Sequence, residues 1–111
     1  MYESVIIEAL SHYGESACHL AKIVEKDLAK YSESMAKSIE ETDEKQAFIA
    51  AHSCKSICSL IGVEEALSIT TQMEKKAESG DMDSYRDLYI QFVSVYQKLD
   101  KALKAYSQKV A

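Results

Sequence analysis

The sequence predicts an all-α protein, and both its composition and its apolar periodicity indicate this fold class. The chain has 111 residues, no proline and only three glycines, a composition that suits long helices better than a turn-rich β fold. Apolar residues recur at intervals of three and four, which is the helical period. One domain over residues 1–111 is expected at this length. The short breaks between helices predict an antiparallel up-down-up-down four-helix bundle with a short additional N-terminal helix.

The first two predicted helices differ in length and lie on either side of a break near Gly14. Residues 2–10 form a short apolar segment, which is expected to pack across one end of the bundle. Residues 16–40 have a regular apolar stripe with Lys and Glu on the opposite side, a pattern typical of an amphipathic helix. The stripe consists of Leu20, Val24, Leu28, Tyr31, Met35 and Ile39.

The third predicted helix covers residues 44–61, between breaks at Thr42–Asp43 and Gly62. Asp43 suits the N-cap position, and Gln46 has the spacing of a capping-box partner. At about 100° per residue, small and apolar residues of this helix fall in one arc of roughly 120°. This arc is predicted to face the core, and it consists of Ala47, Ala50, Ala51, Cys54, Ile57, Cys58 and Ile61.

The last two predicted helices cover residues 63–79 and 82–109, and Gly80 suits the position just past the end of the first of them. Tyr and Met residues keep strict helical spacing, which favours core packing over a cofactor-binding role. The apolar positions of the two helices are Val63, Ala66, Leu67, Thr70, Met73 and Ala77, followed by Tyr85, Leu88, Phe92, Val95, Leu99, Leu103 and Tyr106.

Charge and cysteine content exclude several classes of function. The net charge of −5 argues against nucleic-acid binding, because phosphates need a basic surface. No stretch approaches the ~20 apolar residues of a membrane span, and the N-terminus lacks the basic flank and cleavage site of a signal peptide. Cys18, Cys54 and Cys58 follow no secreted disulfide framework. Free thiols and a reducing, cytoplasmic setting are therefore expected.

His52 stands out in the third helix because it lies opposite the centre of the predicted core arc. The helical wheel therefore predicts an exposed histidine rather than a core histidine. Polar neighbours on this face are Lys55, Ser56 and Ser59, and apolar residues that flank it are Phe48, Ile49 and Leu60. An exposed apolar rim is typical of a docking surface. Packing of the flanking residues against neighbouring helices is the alternative.

The third helix resembles the signature of the histidine-containing phosphotransfer (HPt) domain. That signature reads roughly His-x-x-Lys-Gly, followed by small residues and a glycine that ends the helix. Here "AHSCKSICSLIG" has His52, Lys55, a small Ser56 and Gly62 in this frame, and "ALSITTQMEKKAESGD" resembles the helix that follows in the family. Upstream, "YGES", a long helix and Asp43 occur at family-like places, so the resemblance covers most of the chain.

The resemblance implies a role for each matching residue. His52 matches the phosphoacceptor, whose imidazole must be exposed because the phosphoryl donor is an aspartyl-phosphate in a separate receiver domain. Lys55 lies one turn away and offers an ammonium group to the phosphoryl oxygens. Glu74 falls where the family often has Glu or Gln, and it is expected to hydrogen-bond the imidazole and fix its tautomer without being a catalyst itself. Docking of the receiver is expected on Phe48, Ile49, Ser56, Ser59 and Leu60.

The expected partners are receiver domains of a hybrid histidine kinase or of a response regulator. The receiver would supply the aspartate and Mg²⁺ for phosphoryl transfer, so this chain is expected to hold no cofactor. Because its three glycines are far apart, no nucleotide loop is present and autonomous kinase activity is not expected. The chain is expected to be a monomeric phosphocarrier rather than an enzyme.

Two departures from the family pattern leave alternatives open. Ser56 replaces the usual glycine, and Ile57 replaces a usual small residue, with Ile57 assigned to the core by the wheel. One alternative is therefore an HPt-like bundle that binds a partner without carrying a phosphoryl group. Another is a metal-binding bundle, for which the candidate ligands are His12, His19, Cys18 and Cys54 or Cys58. The adjacent Cys18 and His19 point about 100° apart, and His12 is expected to be a solvated surface residue.

Overall fold

Five α-helices make up the structure. The computed structural model describes residues 2–110, and over this range it contains no strand. The all-α fold class is therefore confirmed, and each predicted helix boundary lies within one residue of the observed one. The helices are α1 (Tyr2–Ser11), α2 (Ala17–Glu41), α3 (Glu44–Ile61), α4 (Glu64–Glu78) and α5 (Met82–Val110), with a single 3₁₀ turn at Gly14–Ser16.

The four longer helices pack in a ring. Helix α3 packs against α2 and α4, and α5 packs against the same two helices from the other side. Helix α1 lies mainly against α5, with smaller contacts to α3 and α2. The molecule measures 41 × 20 × 19 Å, and its long dimension is close to the ~43 Å expected for a 29-residue helix such as α5. None of the helices within residues 2–110 combines the length and the hydropathy of a membrane-spanning segment.

The core is built from the apolar stripes of all five helices. Its largest fully buried side chains include Tyr85, Phe92, Ile6, Leu10 and Leu28. Six of the seven residues in the predicted core arc of α3 are buried. The exception is Ile57, which is only half-buried against the core. The wheel placed it at one edge of the arc, where a neighbouring helix covers a side chain on one flank only.

Both ends of α3 are defined by local contacts. Asp43 Oδ1 accepts a hydrogen bond from the Gln46 backbone N–H at 3.0 Å, as the predicted N-cap requires. At the other end Gly62 has a φ of +73°, a left-handed conformation that glycine adopts at low cost. Val5 and Ala9 of α1 lie 3.9 Å from where a Gly62 side chain would begin. Helix α1 therefore covers the end of α3 furthest from Asp43.

Replacing Asp43 by alanine is expected to lower the free energy of unfolding by about 1 kcal/mol, because the Gln46 N–H loses its capping acceptor. Urea denaturation followed by circular dichroism measures this loss. Asp87→Ala removes the same charge from an exposed position on α5 and is the control. Equal stability of Asp43→Ala and Asp87→Ala would show that the cap contributes nothing.

Candidate functional site

His52 lies in the middle of α3 with its side chain 57% exposed, so the predicted exposure of this residue is confirmed. Its Nδ1 atom is 3.4 Å from Oε1 of Glu74 on α4. Its Nε2 atom makes no hydrogen bond to any residue of the range 2–110. The two ring nitrogens therefore differ: one faces a protein carboxylate, and the other is available to an external group.

Glu74 joins the histidine to Lys55. Its side chain is only 16% exposed, and its Oε2 atom lies 2.8 Å from the Lys55 ammonium nitrogen. Oε2 is itself buried, and within the described part of the chain this ammonium is the one cationic group beside it. The Lys55 ammonium, with a smaller contribution from His52, holds the pKa of Glu74 below its usual range against the opposing effect of burial. Glu74 is therefore a carboxylate at neutral pH.

Helical geometry explains why these three groups meet. His52 and Lys55 are three residues apart on α3, so their side chains are neighbours on one face of that helix. Helices α3 and α4 are joined only by Gly62–Val63 and make extensive contact with each other. Glu74 lies on the part of α4 that faces this pair. The site thus depends on the packing of two helices and not on a loop.

The imidazole is also held by a ring contact. Phe48, one turn before His52, stacks on it with ring centroids 5.9 Å apart and an angle of 9° between the ring planes. Phe48 is half-buried against the core, which fixes its own position. With Phe48 on one face and Glu74 at Nδ1, the plane of the His52 ring is set from two directions. This stacking was not predicted from the sequence, although side chains four residues apart are neighbours on a helix surface.

The apolar rim around His52 is smaller than predicted. Ile49 is 44% exposed, whereas Phe48 and Leu60 are half-buried and pack against the core. The alternative of edge packing therefore holds for these two residues, because the neighbouring helices cover the flanks of α3. Ser56 and Ser59 are exposed as expected. The exposed surface beside the histidine includes Ile49 and these two small polar residues.

Ser56, at the position where the family usually has glycine, points its hydroxyl back onto its own helix. Its Oγ atom donates a hydrogen bond to the His52 carbonyl oxygen at 3.3 Å. This hydrogen bond keeps the side chain close to the helix axis, as serine commonly does within helices. An approaching protein therefore meets little more bulk at Ser56 than a glycine would present.

The candidate metal ligands do not converge. No group of three His, Cys, Asp or Glu side chains is placed to hold a metal ion within residues 2–110. His12 is exposed, as expected, and so is His19. Cys54 and Cys58 are free and buried, and hydrogen bonding to Cys58 together with burial raises the pKa of the Cys54 thiol far above its ordinary value. Both thiols are therefore core groups, and the Cys54 thiol is protonated.

The chain was compared with known protein families, curated proteins and solved structures, and nothing matched it. An exposed imidazole has one nitrogen held by a buried carboxylate, one nitrogen open to solvent, and an ammonium group one helical turn away. Such an arrangement is able to accept an anionic group from a second molecule.

Proposed function

We propose that this chain is a histidine phosphotransfer domain. It accepts a phosphoryl group on His52 from an aspartyl-phosphate of a receiver domain and passes it to a second receiver in a phosphorelay. The observation that supports this proposal best is the position of the imidazole: Nδ1 lies 3.4 Å from the Glu74 carboxylate while the rest of the side chain is exposed. A nucleophile that must reach a group on another protein needs this exposure.

The proposed reaction uses one tautomer of the imidazole. Glu74 Oε1, 3.4 Å from Nδ1, favours the tautomer that carries its proton on Nδ1, and this tautomer has its lone pair on Nε2. Nε2 attacks phosphorus, the bond from phosphorus to the aspartyl oxygen breaks, and the aspartate leaves as a carboxylate. The second transfer reverses these events with the aspartate of another receiver. Most of the catalytic groups, including Mg²⁺, belong to the partner, so this chain acts as a carrier and has no kinase activity of its own.

The proposed architecture is an up-down-up-down bundle with α1 across one end. The ring of contacts among α2, α3, α4 and α5 supports it, because every helix packs against its neighbours in sequence. The connections support it too: only two residues separate α2 from α3, two separate α3 from α4, and three separate α4 from α5. Connections this short place consecutive helices side by side in opposite directions.

Phosphotransfer from a labelled receiver tests the proposal. A receiver domain phosphorylated with ³²P on its aspartate is mixed with the chain, and the label on the chain is followed over time. Transfer to the chain as an acid-labile, alkali-stable label is expected, because a phosphorus–nitrogen bond on histidine has this stability. Stable binding of several receivers without any transfer of label would favour the alternative of an interaction-only bundle.

The exposed face beside His52 is the proposed receiver-docking surface, and Ile49 is its most exposed apolar residue. Ile49→Glu is expected to weaken receiver binding by about tenfold, since an anchor lost from an interface core costs over 1 kcal/mol. Titration calorimetry against the receiver that transfers label measures the affinity. Ile90→Glu introduces the same charge at another exposed isoleucine, on α5, and should leave the affinity unchanged. Equal affinities for the two variants would place the surface elsewhere.

A further inference from the structure

We propose that Glu74 limits how long the phosphoryl group remains on His52, because the carboxylate and the phosphoryl group compete for the ammonium of Lys55. This inference rests on the proposed function of His52 and assigns a regulatory property to the same site. Glu74 is a positioning residue here, since it acts through Lys55 and the imidazole and does not touch the phosphorus. The juxtaposition that supports it is the chain of contacts from His52 to Glu74 to Lys55.

In the unphosphorylated site, Lys55 is already paired. Its Nζ atom forms an ion pair at 2.8 Å with Glu74 Oε2, a buried atom that has no further cationic partner within residues 2–110. The Lys55 side chain is itself mostly shielded from solvent, with 31% exposed. A buried carboxylate that loses its cation becomes strongly unfavourable. Lys55 is therefore not free to move to a new anion without a cost at Glu74.

Phosphorylation changes the charge balance of the cluster. With a neutral imidazole, the cluster holds one cation and one anion. The phosphoryl group carries about two negative charges at neutral pH, while the ring that keeps its Nδ1 proton becomes positive, so the cluster gains about one net negative charge. One ammonium cannot pair with the carboxylate and the phosphoryl group at the same time. If Lys55 stays on Glu74, the phosphoryl group lies near a carboxylate with no cation other than its own ring. If Lys55 turns to the phosphoryl group, Glu74 Oε2 is left unpaired. Both arrangements raise the free energy of the phosphorylated state.

The contact between Glu74 and Nδ1 acts in the same direction. When Nε2 is phosphorylated and the imidazole keeps its Nδ1 proton, the ring becomes positively charged. The Glu74 carboxylate stabilises that proton. When the bond between Nε2 and phosphorus breaks, its electron pair returns to Nε2 and neutral imidazole leaves. A neutral leaving group departs more easily than an imidazolate anion. Glu74 therefore favours onward transfer of the phosphoryl group over storage.

Glu74→Gln tests this inference because glutamine keeps an oxygen acceptor for the Nδ1–H and removes only the charge. Potassium phosphoramidate is the probe: its phosphorus–nitrogen bond breaks, ammonia leaves, and Nε2 forms the new bond without any receiver. After excess phosphoramidate is removed, the half-life of the phosphoryl group on the chain is measured. A half-life about tenfold longer than in the wild type is expected, equivalent to ~1.4 kcal/mol. The control Glu78→Gln removes the same charge from an exposed position one turn further along α4 and should change the half-life less than twofold.

Lys55→Ala is made both in the wild type and in Glu74→Gln. The comparison shows whether Glu74 and the phosphoryl group compete for the Lys55 ammonium or whether the ammonium has the same effect regardless of Glu74. In the wild-type background, Lys55→Ala is expected to shorten the half-life modestly, because Glu74 already neutralises much of the ammonium. In the Glu74→Gln background the shortening is expected to be several-fold greater, since the free ammonium then faces only the phosphoryl group. Circular dichroism and urea denaturation confirm that each variant is folded before its label is compared.

The outcomes distinguish this inference from the proposed function. An unchanged or shorter half-life in Glu74→Gln, or the same effect of Lys55→Ala in both backgrounds, would show that Glu74 and the phosphoryl group do not compete for Lys55. His52 would still accept label, so the proposed function would stand. Failure of the wild-type chain to take label from both phosphoramidate and a phosphorylated receiver overturns the proposed function itself. A longer half-life in Glu74→Gln, with a greater Lys55→Ala effect in that background, supports both.

Discussion

Replacing His52 by glutamine is expected to abolish phosphoryl acceptance, with the rate of labelling lowered by at least ~10³-fold, because removal of the nucleophile of a group-transfer site is rarely compensated. The amide of glutamine has a similar reach but no basic ring nitrogen to form a bond to phosphorus. Since His52 is largely exposed, the substitution should leave the free energy of unfolding close to that of the wild type. Transfer of ³²P from a phosphorylated receiver, followed over time, measures the loss.

His12→Gln and His19→Gln are the matched controls, because both histidines are exposed and neither has the paired environment of His52. Each control should accept label at the wild-type rate. This comparison separates a specific phosphoacceptor from chemical labelling of any exposed imidazole. Label that persists in His52→Gln and disappears in one of the controls would move the phosphoacceptor to another histidine.

Phe92→Ala is expected to lower the free energy of unfolding by about 3–5 kcal/mol, the usual cost of truncating a buried phenylalanine. Phe92 is fully buried on α5 and stacks between Tyr89 and Tyr96, with ring centroids 6.4 and 6.0 Å away. The substitution removes the transfer free energy of the ring and leaves a cavity that the surrounding helices fill only in part. Urea denaturation of both proteins under the same conditions gives the difference.

Ile90→Ala is the control for this loss, since Ile90 lies two residues away on the same helix with 65% of its surface exposed. Its truncation should change the free energy of unfolding by no more than ~0.5 kcal/mol. A total stability of about 5–15 kcal/mol is usual for a domain, so Phe92→Ala alone could leave the chain marginally folded. Similar losses in the two variants would mean that the core does not lie on the assigned face of α5.

The helices of this chain could be predicted because their signals are local. Each of these signals acts within a few residues of sequence. They are the capping contact of Asp43 with the Gln46 N–H, the left-handed conformation of Gly62 and the spacing of apolar residues. The extent of burial at helix edges could not be predicted in the same way. Ile57 and Leu60 are each half-buried because neighbouring helices cover part of their side chains, which a single-helix wheel does not represent.

The candidate site was predicted only in part, because some of its features lie within one helix and others join two helices. Exposure of His52 followed from its position on one helix. The contact between Lys55 and Glu74 joins two helices, so spacing along the chain could not reveal it. Glu74 was singled out only through the family resemblance. The stacking of Phe48 on His52 was local and predictable from its spacing of four residues, but treating Phe48 as part of an exposed rim concealed it.

Identifying the nitrogen atom that carries the phosphoryl group is the most direct test of the proposed function. The chain is labelled with ¹⁵N at histidine, phosphorylated by a receiver, and examined by ¹H–¹⁵N and ³¹P NMR at alkaline pH, where phosphohistidine persists. Phosphorus is expected on Nε2 of His52, because Glu74 occupies Nδ1. Phosphorus on another residue, or on no residue of the chain, would contradict the proposed function. Phosphorus on Nδ1 of His52 would contradict the role of the Glu74 carboxylate.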